Sequence, residues 1–185
     1  MTAAGIVFPR PFWRGAGGGR EVLILAYPLI LSQMSFTIQV FVDRLFLTWY
    51  SAEAVAGAVT ALFAVWAVMG LCIGAGEYAT TFIAQYLGAG RPERIGATIW
   101  QGIYFAAASG AVIAALQPLA VPVFAFAGHA EELRVHEVAY ARILLAGGFP
   151  IVLMATLASF FAGRGKTVVI LAVNVLATLV NAVFD

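Results

Sequence analysis

Charged side chains are scarce in this sequence. Asp, Glu, Lys and Arg make up only 10% of the residues, against about 25% in an ordinary soluble domain. With 63% hydrophobic residues and a mean hydropathy of +0.97, too few charges remain to clothe a water-soluble surface. A formal net charge of +1 provides no basic patch for phosphate backbones, so no nucleic-acid partner is expected. Cysteine is limited to Cys72 within an apolar run, which rules out an intramolecular disulfide and reads as a small core residue. No nucleophile–base pair stands out. Gly163-Arg164-Gly165-Lys166-Thr167 looks like the end of a phosphate-binding loop, but the position where that loop needs its first glycine is Phe160. His129, Glu132 and His136 are of metal-ligating type, yet the sequence places them in a short polar linker, where they read as solvated. An enzyme is not expected, and no cofactor is implied.

What is present is a series of long apolar runs. After a tail over residues 1–20, with Arg10, Arg14, Arg20 and a glycine run, the first apolar stretch covers Val22 to Val42. That exceeds the roughly 7–15 residues of a signal-peptide core, so it is expected to stay in the bilayer. Spans are expected at about 21–50, 54–87, 97–127, 138–162 and 167–185, each near or above the roughly 20 residues that cross a membrane. The fold class is therefore all-α: a polytopic integral membrane bundle of about five transmembrane helices. Short linkers make successive spans antiparallel neighbours. With the N-terminus inside, Arg10, Arg14, Arg20, Arg91, Arg94, Arg164 and Lys166 fall on the inner side and Arg44, Arg134 and Arg142 on the outer. This excess favours a cytoplasmic N-terminus. The last span runs apolar to Phe184 and stops at Asp185 with no closing flank, which reads as a truncated chain.

Polar residues inside spans are costly and face the bundle interior. In the last span, Asn174, Thr178, Asn181 and Asp185 lie within about 60° of one another on a helical wheel. In the first span, Pro28, Ser32, Ser35, Gln39 and Asp43 lie within about 80°. At 1.5 Å per residue, Asp43 is about 33 Å along the first span and Asp185 about 27 Å along the last, so both fall in the outer half. Two stripes ending in aspartates suggest a shared wet cavity. A carboxylate there can hold a proton through desolvation, or a cation with amide oxygens beside it. Pro28 inside its span is a candidate hinge. Glu77 lies near the inner face and reads as interfacial. Gly70 and Gly74 read as a close-packing pair.

Several of these residues resemble the multidrug and toxic compound extrusion (MATE) family. The resemblance rests on Pro28, Gln39 and Val42-Asp43, and then on Ala84-Gln85-Tyr86-Leu87-Gly88-Ala89-Gly90-Arg91. The Gly163-Arg164-Gly165-Lys166 turn resembles that family's link between helices 4 and 5. Asn181 and Asp185 are similar to a helix-5 Asn/Asp pair of members that bind the coupling ion in the N-terminal lobe. The chain departs from the pattern where Arg44 and Trp49-Tyr50 follow Asp43. The resemblance implies a secondary active exporter of two six-helix lobes in the cell inner membrane. It exchanges external H⁺ or Na⁺ for amphiphilic, often cationic compounds. The chain would form most of the N-terminal lobe, with the C-terminal lobe as the missing partner. Asp43, Asn181 and Asp185 would hold the ion, Gln39, Asn174 and Thr178 would extend the polar stripe, and Pro28 would bend. Two alternatives stay open: a lipid-linked precursor flippase of a related fold, and a non-transporting membrane fragment. A flippase calls for a basic central cavity, and no Arg or Lys lies mid-span.

Overall fold

The computed structural model describes Trp13 and residues 18–184, and every regular element among them is helical. Asp185 lies outside the described residues, as does most of the 1–20 tail. The order is α1 (Gly19–Tyr50), α2 (Ala52–Glu77), α3 (Ala79–Gly88), α4 (Glu93–Ala115), α5 (Ala120–Phe126), α6 (Glu131–Ala146), α7 (Gly148–Gly163) and α8 (Thr167–Phe184). A 3-10 turn, Gln117–Leu119, separates α4 from α5.

Among the described residues, three helical rods are long and apolar enough to cross a membrane: α1, the α2–α3 pair over Ala52–Gly88, and the α4–α5 pair over Glu93–Phe126. The α6–α7 pair makes a fourth if it is one span, bent by 49°. The apolar stretch of α8, Thr167–Val183, is shorter than these. The breaks have local causes. Pro118 and Pro122 lack the N–H groups that a continuous helix needs, and the ladder tightens to a 3-10 turn beside them. At the α6–α7 bend, Gly147 and Gly148 precede Pro150, which cannot donate to the carbonyl of Ala146.

One linker expectation is corrected here. Residues 131–137 are not a solvated loop before a span starting at 138; they are the first two turns of α6. Glu131 and Glu132 occupy its first turn, where carboxylates favour the positive end of the helix dipole. Glu137 is completely buried.

Turn chemistry sets the antiparallel order. Ser51 takes an extended conformation that stops α1, and its hydroxyl accepts from Ala54 N–H at 2.9 Å, capping α2. Gly90 and Gly165 both adopt φ of +68°. In each case the following N–H closes back five residues: Arg91 to Tyr86 O at 2.9 Å, and Lys166 to Phe161 O at 2.8 Å. These are matching left-handed helix stops, and they explain the glycines of the two Gly-x-Gly-basic turns.

The core lies between α2, α4, α6 and α7. It is built from Ala61, Val65, Met69, Ala106, Ile113, Ala141, Leu145 and Val152. Apolar lipid gives little hydrophobic drive between helices, so close contact must supply the cohesion. Glycines permit it. A Cβ on Gly110 would sit 2.5 Å from Phe149 Cα, and one on Gly148 would sit 2.6 Å from Ile113 Cγ2. Ala79, Ile83 and Ile95 join α3 to α4 in a smaller cluster with Phe160 against it. By contrast, α1 and α8 pack chiefly on each other, and α1 buries only Pro28 and Ser32.

Candidate functional site

Ser32 and Ser35 of α1 and Asn174 and Thr178 of α8 lie on the faces where the two helices meet. Asn174 Nδ2 donates to Ser32 Oγ. Four residues on, one α8 turn away, Thr178 Oγ1 lies 3.3 Å from Ser35 O and 2.9 Å from Asn174 O, sharing its proton between the two helices. Ser35 Oγ donates to Leu31 O at 3.1 Å within α1. Ser32 is 4% exposed, and Ser35, Asn174 and Thr178 are half-buried. Pro28 is buried one turn before Ser32, in a helix that stays continuous from Gly19 to Tyr50. Its ring leaves the carbonyl of Ile24 without a helical donor.

Two hollows open along this seam. One, of about 490 Å³, is lined by Gln33, Gln39, Trp66, Glu77, Asn174 and Thr178 among others. The second, of about 380 Å³, lies toward the C-terminal end of α1 and is lined by Asp43, Phe46, Leu47, Tyr50, Tyr140 and Asn181. Asp43 Oδ1 is out of solvent. Asn181 Oδ1 is also buried, and it has no hydrogen-bond partner among the described residues. A buried amide oxygen left so is costly, by about 1–3 kcal/mol. A proton donor or a cation entering the hollow would relieve that cost. Arg44 Nη1 is buried too, with the guanidinium 5.9 Å from the centre of the ring of Tyr140, which lines the same hollow.

The structure thus brings Asp43 to the same hollow as Asn181, and Gln39 to the same hollow as Asn174 and Thr178. The sequence reading missed Tyr140, Gln33 and Trp66. Gln33 and Trp66 lie off the stripes, and Tyr140 arrives from α6, a helix distant in sequence with no polar pattern of its own pointing to α1. Glu77, read as interfacial, borders the larger hollow at the break between α2 and α3. Among the described residues no group of three or more His, Cys, Asp and Glu side chains could hold a metal ion. The donor set at the smaller hollow, a carboxylate with a carboxamide oxygen, suits a proton or a hard monovalent cation instead.

Comparison with known proteins decides the family. The MatE family model matches residues 28–185. The chain belongs to the MatE family. It is 26% identical over 167 residues to a probable multidrug resistance protein NorM of Thermotoga maritima, covering 90% of this chain and 36% of that protein. A solved MOP superfamily transporter from Pyrococcus furiosus shares the fold with a TM-score of 0.78 at 24% identity, over 89% of this chain and 36% of the other. For that transporter, a binding pocket of reversed polarity suggests a different function. The chain therefore spans about a third of the length of the relatives it matches. As a MatE chain with several membrane-length helices, it is a multi-pass membrane protein of a transporter family, not an enzyme.

Proposed function

We propose that this chain supplies an N-terminal-lobe bundle of a secondary active multidrug exporter, with the coupling ion held at the Asp43/Asn181 hollow. The observation that carries the reading is the convergence of Asp43 and Asn181 on one hollow, where the Asn181 amide oxygen is buried without a partner among the described residues. Support for the substrate class comes from the NorM relative, described as a probable multidrug resistance protein. Because the chain matches about a third of that relative, transport is proposed to require a second helical lobe. The N-terminus is cytoplasmic in this scheme, on the charge asymmetry of the linkers, and the membrane is the cell inner membrane. Asp185 is proposed as a second carboxylate of the same site, on its place in the helical-wheel stripe of the last apolar run.

In this scheme external H⁺ or Na⁺ enters the smaller hollow and is bound by Asp43 with Asn181 beside it. Ion and substrate bias the bundle only through their different affinities for its two states. The seam between α1 and α8 is the element biased, and Pro28 gives α1 a point at which to bend. The larger hollow, with Trp66 and Glu77 on its wall, offers an aromatic face and a carboxylate to a cationic amphiphile. Expressed with whatever lobe completes it, the Asp43→Asn protein should insert at the wild-type level and lose ethidium efflux. Full efflux by that variant would remove Asp43 from the mechanism.

A further inference from the structure

We propose that Glu137, with His129 and Thr60, forms a second proton-binding site, separate from the α1/α8 seam and placed where α6 packs on α2. Glu137 is 0% exposed. Its Oε1 is 2.6 Å from Thr60 Oγ1 on α2 and 2.7 Å from His129 Nδ1 on the linker between α5 and α6. Its Oε2 is buried with no hydrogen-bond partner among the described residues. A permanently ionised carboxylate so placed would carry a large desolvation cost, and a carboxylic acid would not. Helix α6 is pressed onto α2 at this level because Gly57 has no side chain: a Cβ there would lie 2.7 Å from His136 Cβ and 3.1 Å from Glu137 N.

The partners serve both protonation states. Thr60 Oγ1 is also 3.1 Å from the carbonyls of Ala56 and of Gly57. Its hydroxyl can donate to the carboxylate, or turn to a carbonyl and accept from the acid. The His129 side chain is 38% exposed, so it links the buried oxygen to water. A proton from water binds Nε2, the Nδ1 proton passes to Glu137 Oε1, and the imidazole is left as the other neutral tautomer. The net change is one proton taken up and one carboxylate neutralised, with no ring rotation.

On α1, Arg44 places its guanidinium 5.9 Å from the centre of the Tyr140 ring, and Arg142 lies on α6 itself. Of the elements packed on α6, the 3-10 turn, α5 and α7 carry no titratable side chain. On α2, Glu53 lies seven residues before Thr60 and lines a hollow with Tyr50, Glu132 and His136. His136 packs edge-on against Tyr50, and Arg134 pairs with Glu131. On α4, Glu93, Arg94 and Tyr104 lie in the half away from the first turns of α6, since Gly102 meets Thr156 and Gly110 meets Phe149. Beyond the cluster, Tyr140, one turn along α6 from Glu137, borders the Asp43 hollow.

The test is infrared pH-difference spectroscopy on the protein in lipid, following the C=O stretch of protonated buried carboxyl groups. A band that appears as pH falls should be lost in Glu137→Gln and kept in Asp43→Asn, which separates this site from the proposed coupling site. His129→Gln should shift the frequency of that band, because it replaces the imidazole that meets Oε1. Thr60→Val should shift its frequency by removing a hydrogen-bond partner. Wild-type and Glu137→Gln spectra that superimpose would overturn the proposal, since Glu137 would then hold one protonation state throughout. If Glu137→Gln does not fold, an unshifted frequency in both His129→Gln and Thr60→Val overturns it equally.

Discussion

The four-helix block of α2, α4, α6 and α7 and the α1/α8 pair are built on opposite terms. In the block, small residues bring backbones together and leave no room: a Cβ on Gly102 would lie 2.4 Å from Thr156 Cγ2. Its side chains are fully buried at Ala61, Ala106, Val152 and Thr156. In the pair, the packing includes hydrogen bonds between polar residues, and open hollows of about 490 and 380 Å³ lie alongside. One region is cohesive because its surfaces fit. The other adds exchangeable hydrogen bonds to its helix packing and keeps space for a guest. Packed cores are bistable rather than continuously deformable, so a change of state is better accommodated at a seam of this kind than within the block. The proposed ion site lies on the seam.

The largest expected effect on stability breaks the block. Gly110→Ala drives a methyl against the Phe149 backbone, which cannot yield as a side chain can. Overpacking of this kind costs about 1–3 kcal/mol, read as a lower midpoint of thermal unfolding in detergent. Gly74→Ala is the control, because nothing lies within 4 Å of its added Cβ. It should fall within about 0.5 kcal/mol of wild type. Equal losses in the two variants would erase the contrast between a tight block and a loose wall.

A smaller loss is expected where a turn depends on a left-handed residue. Gly165→Ala and Gly90→Ala each force an L residue to φ of +68°, at a cost of roughly 1–2 kcal/mol. Circular dichroism melts should place both below wild type by similar amounts, since the two stops share one geometry. Smallest is the seam itself. Asn174→Ala removes the bond to Ser32, and such interhelical bonds in membranes average about 0.6 kcal/mol. That variant should melt almost as wild type does. A loss as large as that of Gly110→Ala would show the seam to be a structural joint rather than a movable one.

The legibility of these regions in the sequence differs for physical reasons. The α1/α8 seam could be anticipated, because a polar residue in an apolar helix stands out and helical periodicity gives its direction. Ser32, Ser35, Asn174 and Thr178 form contacts along the faces that the wheel assigns to them. Glu137 could not be read the same way. It sits in Glu131-Glu132-Leu133-Arg134-Val135-His136-Glu137, a charge-rich segment that resembles a linker by composition. The acidic first turn was the available signal that this segment is a helix start. Burial of its last carboxylate depends on Gly57 and Thr60, some 77 residues away in sequence for the Thr60 bond. The helix breaks at Tyr78 and Gly147 were similarly hidden inside apolar runs whose hydropathy gives no hint of direction.

The central claim is that the α1/α8 seam couples an ion to transport through Asp43. The most direct measurement reconstitutes the completed transporter in liposomes and imposes a proton gradient or a sodium gradient, one at a time, while dye movement is followed. The account predicts that one of the two gradients drives the wild-type protein, and that neither drives Asp43→Asn although it inserts normally. Gradient-driven transport by Asp43→Asn at the wild-type rate would contradict it.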